Sequence, residues 1–116
     1  MPFWTCMKAS QSVGLLAVCA MCTAAICDAA DPNAALPRVK EVCQACHGMD
    51  GNSTIPDNPK LGGQYPDYLA KTLRDYQSEL RKNPVMAGFV DKLSRQDIDN
   101  LAAYYAAQPA VLVTKH

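Results

Sequence analysis

The stretch Cys43-Gln44-Ala45-Cys46-His47 decides the fold, because its spacing of two cysteines and a histidine matches the attachment signature for a c-type haem. On a helical turn, two cysteines three residues apart face the same side, where each can form a thioether with a haem vinyl group. The next residue projects its imidazole toward the iron from that side. The motif therefore predicts Cys43 and Cys46 as the haem thioethers and His47 as an axial iron ligand.

Two other chemistries use a Cys-x-x-Cys pair. A thioredoxin-like dithiol belongs to a βαβ setting, and the sequence contains no convincing strand. A zinc site needs two further Cys or His ligands, and downstream of the motif only His116 remains. Haem attachment is the better interpretation.

The second axial position of the iron has few candidates: Met49, Met86, His116 or water. Met49 lies two residues from His47, a reach of at most about 7 Å, so it cannot pass around the macrocycle to the opposite face. Met86 lies far downstream, after a predicted helix, in a segment able to fold over that face. An isolated methionine is more often core filler, but in this context we expect Met86 to be the sixth ligand. Such His/Met ligation raises the reduction potential.

Composition narrows the class of protein. The 116 residues allow one domain, and 11 Lys+Arg balance 11 Asp+Glu, which argues against nucleic acid as a partner. A hydrophobic content of 49% argues against a disordered chain. Only two histidines are present, so a three-histidine metal site and an HExxH protease are excluded.

The N-terminal segment has the layout of a secretory signal peptide. Lys8 precedes an uncharged stretch from Ala9 to Cys27, and small residues follow. We expect residues 1–29 to be a signal peptide, with Met7 as a possible true start, and residues 30–116 to form the exported, periplasmic domain. A retained membrane anchor and a lipoprotein signal ending at Cys19 are the alternatives. Cleavage would remove Cys6, Cys19, Cys22 and Cys27, so a disulfide framework is not expected.

The exported part is predicted to be all-α. A short helix is expected over Arg38 to Cys46 with Pro37 as its first residue, followed by a long Gly- and Pro-rich loop from Gly48 to Gln64.

Two further helices are expected. Apolar spacing predicts one from Pro66 to about Lys82, with Tyr65, Leu69, Leu73, Tyr76 and Leu80 on one stripe. Val85 to Val90 is interpreted as an irregular connection, and Ser94 as the cap of the last helix, which ends at Gln108-Pro109. Three short helices bury little apolar surface, so we expect a bound cofactor to stabilise the fold.

Together these residues resemble class I c-type cytochromes, in particular the bacterial cytochrome c4 and c553 group. The matching pieces are Cys43 to Gly48, Asp50-Gly51-Asn52, Pro59 to Gln64, the Met86 segment, and Leu93 to Tyr105. The resemblance implies a small cytochrome c-type fold with three main helices and long loops wrapped around one covalent haem c and its iron.

The resemblance also implies roles for individual residues. Pro59 would offer its carbonyl to the Nδ1–H of His47, Leu61 would pack on the haem, and Tyr104 would lie in the contact between the first and last helices. Pro37 departs from the family pattern, since relatives continue the first helix upstream. Only one haem motif is present, so the chain resembles one half of cytochrome c4 or a single-haem relative.

The expected function is that of a periplasmic one-electron carrier rather than an enzyme, because no acid–base or nucleophile pair stands ready for catalysis. Its expected partners are transient redox proteins: a dehydrogenase, a cytochrome complex or a terminal oxidase. Nucleic acid is not expected, and a membrane only if the N-terminal segment is retained. The alternatives are a permanently bound subunit of a redox complex and a haem sensor or peroxidase-like protein with a labile sixth ligand.

Overall fold

Four helical elements follow one another in the computed structural model, which describes residues 28–111. Helix α1 spans residues 33–47, α2 is Pro66–Gln77, α3 is Pro84–Val90 and α4 is Arg95–Ala106. Within residues 28–111 there is no strand, so the all-α prediction is confirmed. The predictions for the signal segment up to Cys27, including the cysteines there, and for His116 lie outside the described residues.

Helix α1 begins earlier than predicted, and Pro37 lies inside it rather than at its start. The helix opens with a 3₁₀ turn, Asn33–Ala35, and continues as an α segment, Leu36–Arg38. The amide of Leu36 donates to the Asn33 carbonyl. A regular helix would use that carbonyl to accept from residue 37, so the missing amide of Pro37 leaves nothing unpaired.

A π-helical turn, Val39–Cys43, comes next and leads into the α segment Gln44–His47. The amide of Gln44 donates to the Val39 carbonyl, five residues back, and its side chain donates to the Lys40 carbonyl at 2.6 Å. Such turns are frequent at functional sites. Here the wide turn ends at Cys43, the first residue of the haem motif.

Helix α2 is shorter than predicted, and its apolar stripe is wrong at both ends. Leu69 is buried, and Leu73 and Tyr76 are half-buried, but Tyr65 is 78% exposed and Leu80 is 82% exposed. The helix stops at Gln77 because Glu79 takes a left-handed conformation with φ 61°. Leu80 therefore leaves the helical face that the spacing assigned to it.

Residues 85–90 form a helix, α3, and not the irregular connection that the sequence suggested. Asn83 is its N-cap, and its side chain accepts from the amides of Val85 and Met86. Pro84 fits the first turn, where its missing amide costs nothing. Asn83 and Pro84 therefore start a helix, whereas the preceding helix has already ended at Gln77.

Helix α4 begins as predicted. Ser94 and Asp97 form a complete capping box, in which the Ser94 side chain accepts from the Asp97 amide and the Asp97 side chain accepts from the Ser94 amide. Ile98, Leu101 and Tyr105 are buried on its inner face. The helix ends at Ala106, two residues before the predicted end.

The core lies where α4 packs against α2 and against the first turn of α1. Val39, Val90 and Ile98 are its fully buried large side chains. The Gln77 side chain donates to the carbonyls of Val90 at 2.9 Å and Leu93 at 2.8 Å, which joins the end of α2 to the segment between α3 and α4. None of the helices within residues 28–111 is long and apolar enough to cross a membrane.

Candidate haem site

His47 ends α1 with its side chain buried and held in one orientation. Its Nδ1 lies 2.9 Å from the carbonyl oxygen of Pro59, across the loop that follows the motif. A carbonyl only accepts, so Nδ1 carries the hydrogen, and in the neutral imidazole the other ring nitrogen, Nε2, has the lone pair. A histidine fixed in this way is prepared to bind a metal through Nε2.

The site is a cavity of about 400 Å³ between α1, the long loop, α2, α3 and α4. Most of its wall is apolar, with Leu69, Leu73, Val85, Phe89 and Leu101 among the lining residues. All six residues singled out from the sequence line it as well: Cys43, Cys46, His47, Pro59, Leu61 and Met86. Residues far apart in the chain therefore converge on one space, while the roles assigned to them stay predictions.

The two cysteines are free thiols on the wall of this cavity. Burial raises the pKa of the Cys43 thiol, whereas Cys46 is exposed. The Asn58 side chain donates to the Cys46 carbonyl at 2.8 Å, which ties the following loop to the motif. Both sulfurs are thus available for covalent bonds to a ligand in the cavity.

Met86 reaches the cavity from α3 and is half-buried. The Asn83 side chain accepts from its amide at 3.1 Å, so the N-cap of α3 also positions this residue. Met49 is not part of the cavity wall, and its carbonyl accepts from the Tyr104 hydroxyl at 2.8 Å. The structure therefore places the favoured sixth-ligand candidate in the site and the rejected one outside it.

Tyr104 and Tyr105 fasten α4 to the loop behind His47. Tyr104 bonds the Met49 carbonyl, two residues beyond the end of α1, and Tyr105 donates to the Gly48 carbonyl at 3.4 Å. The two rings meet edge to face with centroids 5.2 Å apart. Burial raises the pKa of the Tyr105 hydroxyl strongly, so it stays protonated and keeps donating. The Tyr104 contact joins the last helix to the segment just after α1.

The polar side chains of the cavity wall that the sequence analysis did not single out include Tyr68, Thr72 and Arg81. Tyr68 and Thr72 lie four residues apart on α2, the spacing that brings side chains together on one helix face. Arg81 lies beyond the helix end, and no motif marks it. The helical spacing could have indicated the first two, but the position of Arg81 depends on the left-handed turn at Glu79.

The donor set fits a haem c. Two free thiols, a histidine with Nε2 left to bind metal, a thioether and an apolar wall are the groups that such a cofactor requires.

Comparison with known proteins agrees with this chemistry. The family model described as "Cytochrome C oxidase, cbb3-type, subunit III" matches residues 30–104. The chain belongs to the class I c-type cytochromes. Membership implies a covalently bound haem c with its iron.

Individual relatives of this cytochrome include both long and short proteins. It is 46% identical over 79 residues to "Cytochrome c4" of Thiocapsa roseopersicina, an alignment that covers 68% of this chain and 41% of the relative. It is 39% identical over 69 residues to "Cytochrome c-554(548)" of Halomonas halodenitrificans, covering 57% of this chain and 83% of that protein.

A solved structure, reduced recombinant cytochrome c4 from Pseudomonas stutzeri, superposes with a TM-score of 0.65 at 42% identity. The match covers 70% of this chain and 47% of that one. The small cytochrome c-type fold predicted from the sequence is confirmed. The chain spans less than half the length of the cytochrome c4 relatives that it matches.

Proposed function

We propose that this cytochrome is a periplasmic one-electron carrier with a single haem c. In this proposal Cys43 and Cys46 hold the haem, and His47 and Met86 bind its iron. The observation that carries the proposal is the convergence of these four residues on one largely apolar cavity.

When bound, the haem supplies an iron that alternates between the ferric and ferrous states. The protein's own contribution is to keep the surroundings unchanged as the charge changes. The Pro59 carbonyl fixes the His47 ring, and the Asn83 cap fixes the backbone of Met86. Because both ligands come from fixed positions, little has to reorganise when one electron arrives.

The exposed apolar residues beside the cavity favour transient docking of redox partners. Val85 and Phe89 on α3 and Tyr68 on α2 line the cavity and also face solvent. Weak electron-transfer contacts are small. We propose a dehydrogenase, a cytochrome complex or a terminal oxidase as partners, and the zero net charge predicts that reaction rates depend weakly on salt.

We also propose that residues 1–29 direct export and are removed, which leaves residues 30–116 as the periplasmic domain. The support is the uncharged stretch after Lys8. N-terminal sequencing of protein from the periplasmic fraction tests this. A mature N-terminus near residue 30 supports cleavage, whereas membrane-bound protein with an intact N-terminus would favour the anchor.

A second candidate is a subunit held permanently in a larger redox complex. One observation favours it: the matching family model is described as an oxidase subunit. Gel filtration of the native protein from cells discriminates between the two. Elution as a small free protein supports the carrier, and stoichiometric co-elution with other subunits supports the complex.

The carrier proposal is tested by absorption spectra of the matured protein, oxidised and reduced, with and without carbon monoxide. We expect reduced c-type bands that carbon monoxide leaves unchanged, because Met86 occupies the sixth position. Met86→Ala should bind carbon monoxide at once, while the control Met49→Ala should behave as the wild type. Prompt binding by the wild type would overturn the proposal and favour a sensor or a peroxidase-like protein.

A further inference from the structure

Arg81 lies at the edge of the haem cavity in an environment built from aromatic and hydroxyl groups. Its guanidinium carbon lies 5.2 Å from the centroid of the Tyr76 ring, a cation–π distance. Tyr68, Thr72 and Tyr76, all from α2, line the cavity together with it. The Arg81 guanidinium, and after it the Thr72 hydroxyl, lowers the pKa of the Tyr68 hydroxyl by favouring its ionised form.

The charges around this cluster leave the guanidinium without a carboxylate of its own. In the part of the chain that the structure describes, the ion pairs are Lys71 with Asp75 and Arg74 with Asp99. Asp75 acts on Arg81 only as a more distant charge, and its carboxylate is bonded by Lys71. A guanidinium has five N–H donors in a planar fork, so Arg81 has donors available for an anion.

The other charged residues of the cavity wall are Asp57 and Lys60, both from the long loop. The Lys60 ammonium donates to the Ser53 carbonyl at 3.2 Å, which ties it back to its own loop. Arg81 is therefore the cation of the wall that is better placed to receive an anion from within the cavity.

We propose that Arg81, assisted by the Tyr68 hydroxyl, forms a carboxylate-binding site that holds a haem propionate. This inference rests on the proposed function, since it requires that haem occupies the cavity. A haem is an apolar disc with two carboxylates, and an apolar wall offers those carboxylates no hydrogen bonds. A guanidinium matches a carboxylate with two parallel N–H···O bonds, and a neighbouring phenol adds a third donor.

Such a site also influences the iron. A cation that neutralises a propionate lowers the negative charge near the haem, which favours the ferrous state. Replacing Arg81 should therefore lower the reduction potential more than replacing a cation that lies outside the cavity wall. Lys82 supplies the matched control, because it is the next residue, has the same charge and is not in the cavity wall.

The experiment is redox-induced infrared difference spectroscopy on the matured protein, with haem that carries ¹³C in its propionate carboxyl carbons. The label identifies the bands of the propionates. We expect Arg81→Gln to shift a labelled band and lower the potential, Tyr68→Phe to shift the same band by less, and Lys82→Gln to leave it in place with a smaller fall in potential. Arg81→Lys should restore part of both changes.

Unshifted labelled bands in Arg81→Gln, or equal shifts in Lys82→Gln, would overturn the assignment. A fall in potential with only unlabelled bands shifted would mean that Arg81 binds a carboxylate of a protein instead, which also overturns it. If Arg81→Gln fails to fold, the Tyr68→Phe variant tests the proposal instead. A shift of the labelled band in that variant supports the propionate site, and an unshifted band overturns it. Absence of covalent haem from the wild type would contradict the proposed function and is recognised before any variant is compared.

Discussion

At the scale of single residues, Gly51 occupies a tight place in the loop beside His47, with no room for a side chain. It has φ +71°, and an added Cβ would lie 2.7 Å from the Gly62 nitrogen and 2.8 Å from Cδ1 of Tyr105. Its carbonyl accepts from the Leu61 amide at 2.7 Å. A side chain there would push the loop away from α4 and so move Leu61, which lines the cavity.

We therefore expect Gly51→Ala to lower the free energy of unfolding of the haem-loaded protein by about 2–4 kcal/mol, from left-handed strain and overpacking together. Gly88 in α3 is the control, because an added Cβ there meets no atom within 4 Å. Gly88→Ala should raise the free energy of unfolding by about 0.5–1 kcal/mol. Denaturant unfolding measures both, and equal effects of the two substitutions would contradict the steric argument.

Glu79 is a non-glycine residue in the left-handed region, with φ 61°, immediately after α2. A Cβ in this conformation costs about 1–2 kcal/mol of stability. Replacing the residue with glycine removes that cost, but it also gives the unfolded chain more conformational freedom, which cancels part of the gain. We expect Glu79→Gly to raise the free energy of unfolding by about 0.5–1 kcal/mol. Glu79→Ala keeps the Cβ and should leave the free energy of unfolding almost unchanged. Thermal or denaturant unfolding measures both variants. An equal gain in stability for the two would show that the charge of Glu79 matters and its backbone conformation does not.

At the scale of elements, α4 depends on its capping box, because this helix supplies five of the eleven buried hydrophobic residues among residues 28–111, including the tyrosines behind the haem site. Ser94→Ala removes the acceptor for the Asp97 amide and should lower the free energy of unfolding by about 1 kcal/mol. Ser78→Ala is the matched control, since Ser78 is exposed and its hydroxyl makes only a long 3.4 Å bond. Denaturant unfolding of the haem-loaded Ser94→Ala and Ser78→Ala variants compares their free energies of unfolding.

The same box gives α4 a pH dependence. The Ser94 amide, and after it the Ser94 hydroxyl, donates a hydrogen bond to the Asp97 carboxylate, and these bonds lower its pKa below the usual value of about 3.9. A lowered native pKa means that the stabilisation is complete above the unfolded value and disappears as the pH falls through the native one. Unfolding measured from pH 6 to pH 2 should therefore lose less stability in Asp97→Asn than in the wild type. Parallel curves would show that the carboxylate contributes nothing.

The helix boundaries show which local sequence signals were sufficient to predict where a helix begins or ends. The Ser94–Asp97 cap was predictable because both partners lie within one turn. The entry of α1 and the existence of α3 were not, since Pro37 was interpreted as a helix start and Val85 to Val90 as an irregular connection. The structure accommodates Pro37 through a 3₁₀ turn that occupies the Asn33 carbonyl, and it uses Asn83 as an N-cap. Whether a proline stops a helix depends on its neighbours' hydrogen bonds, which the residue type alone does not reveal.

At the scale of the whole molecule, the sequence indicates candidate ligands but not the cavity that collects them. The haem motif is local, and Met86 followed from the exclusion of Met49 by reach. Arg81 required the folded chain, because its placement depends on where α2 ends and on the left-handed turn at Glu79. The same holds for Asn52, whose side chain donates to the Pro109 carbonyl at 2.8 Å and closes the loop against the segment after α4.

The cavity also makes the fold dependent on its cofactor. When the cavity is empty its largely apolar wall faces water, and each Val, Leu or Phe side chain left exposed forfeits about 1.5–3 kcal/mol of burial, against a total stability of about 5–15 kcal/mol for a small domain. With few fully buried side chains to compensate, the described helices should not stay packed when the cavity is empty.

We therefore expect the chain produced without haem attachment to retain some helical circular dichroism but to lose its cooperative thermal transition, whereas the matured protein unfolds in one step. The variant with Cys43→Ser and Cys46→Ser, exported under the conditions that mature the wild type, should unfold like the haem-free wild-type chain. Neither protein carries covalently attached haem, although the wild-type chain keeps its thiols. Calorimetry measures the transition. A cooperative transition of the haem-free chain close to that of the matured protein would mean that the helices close the cavity on their own, and the cofactor would then contribute function without holding the fold together.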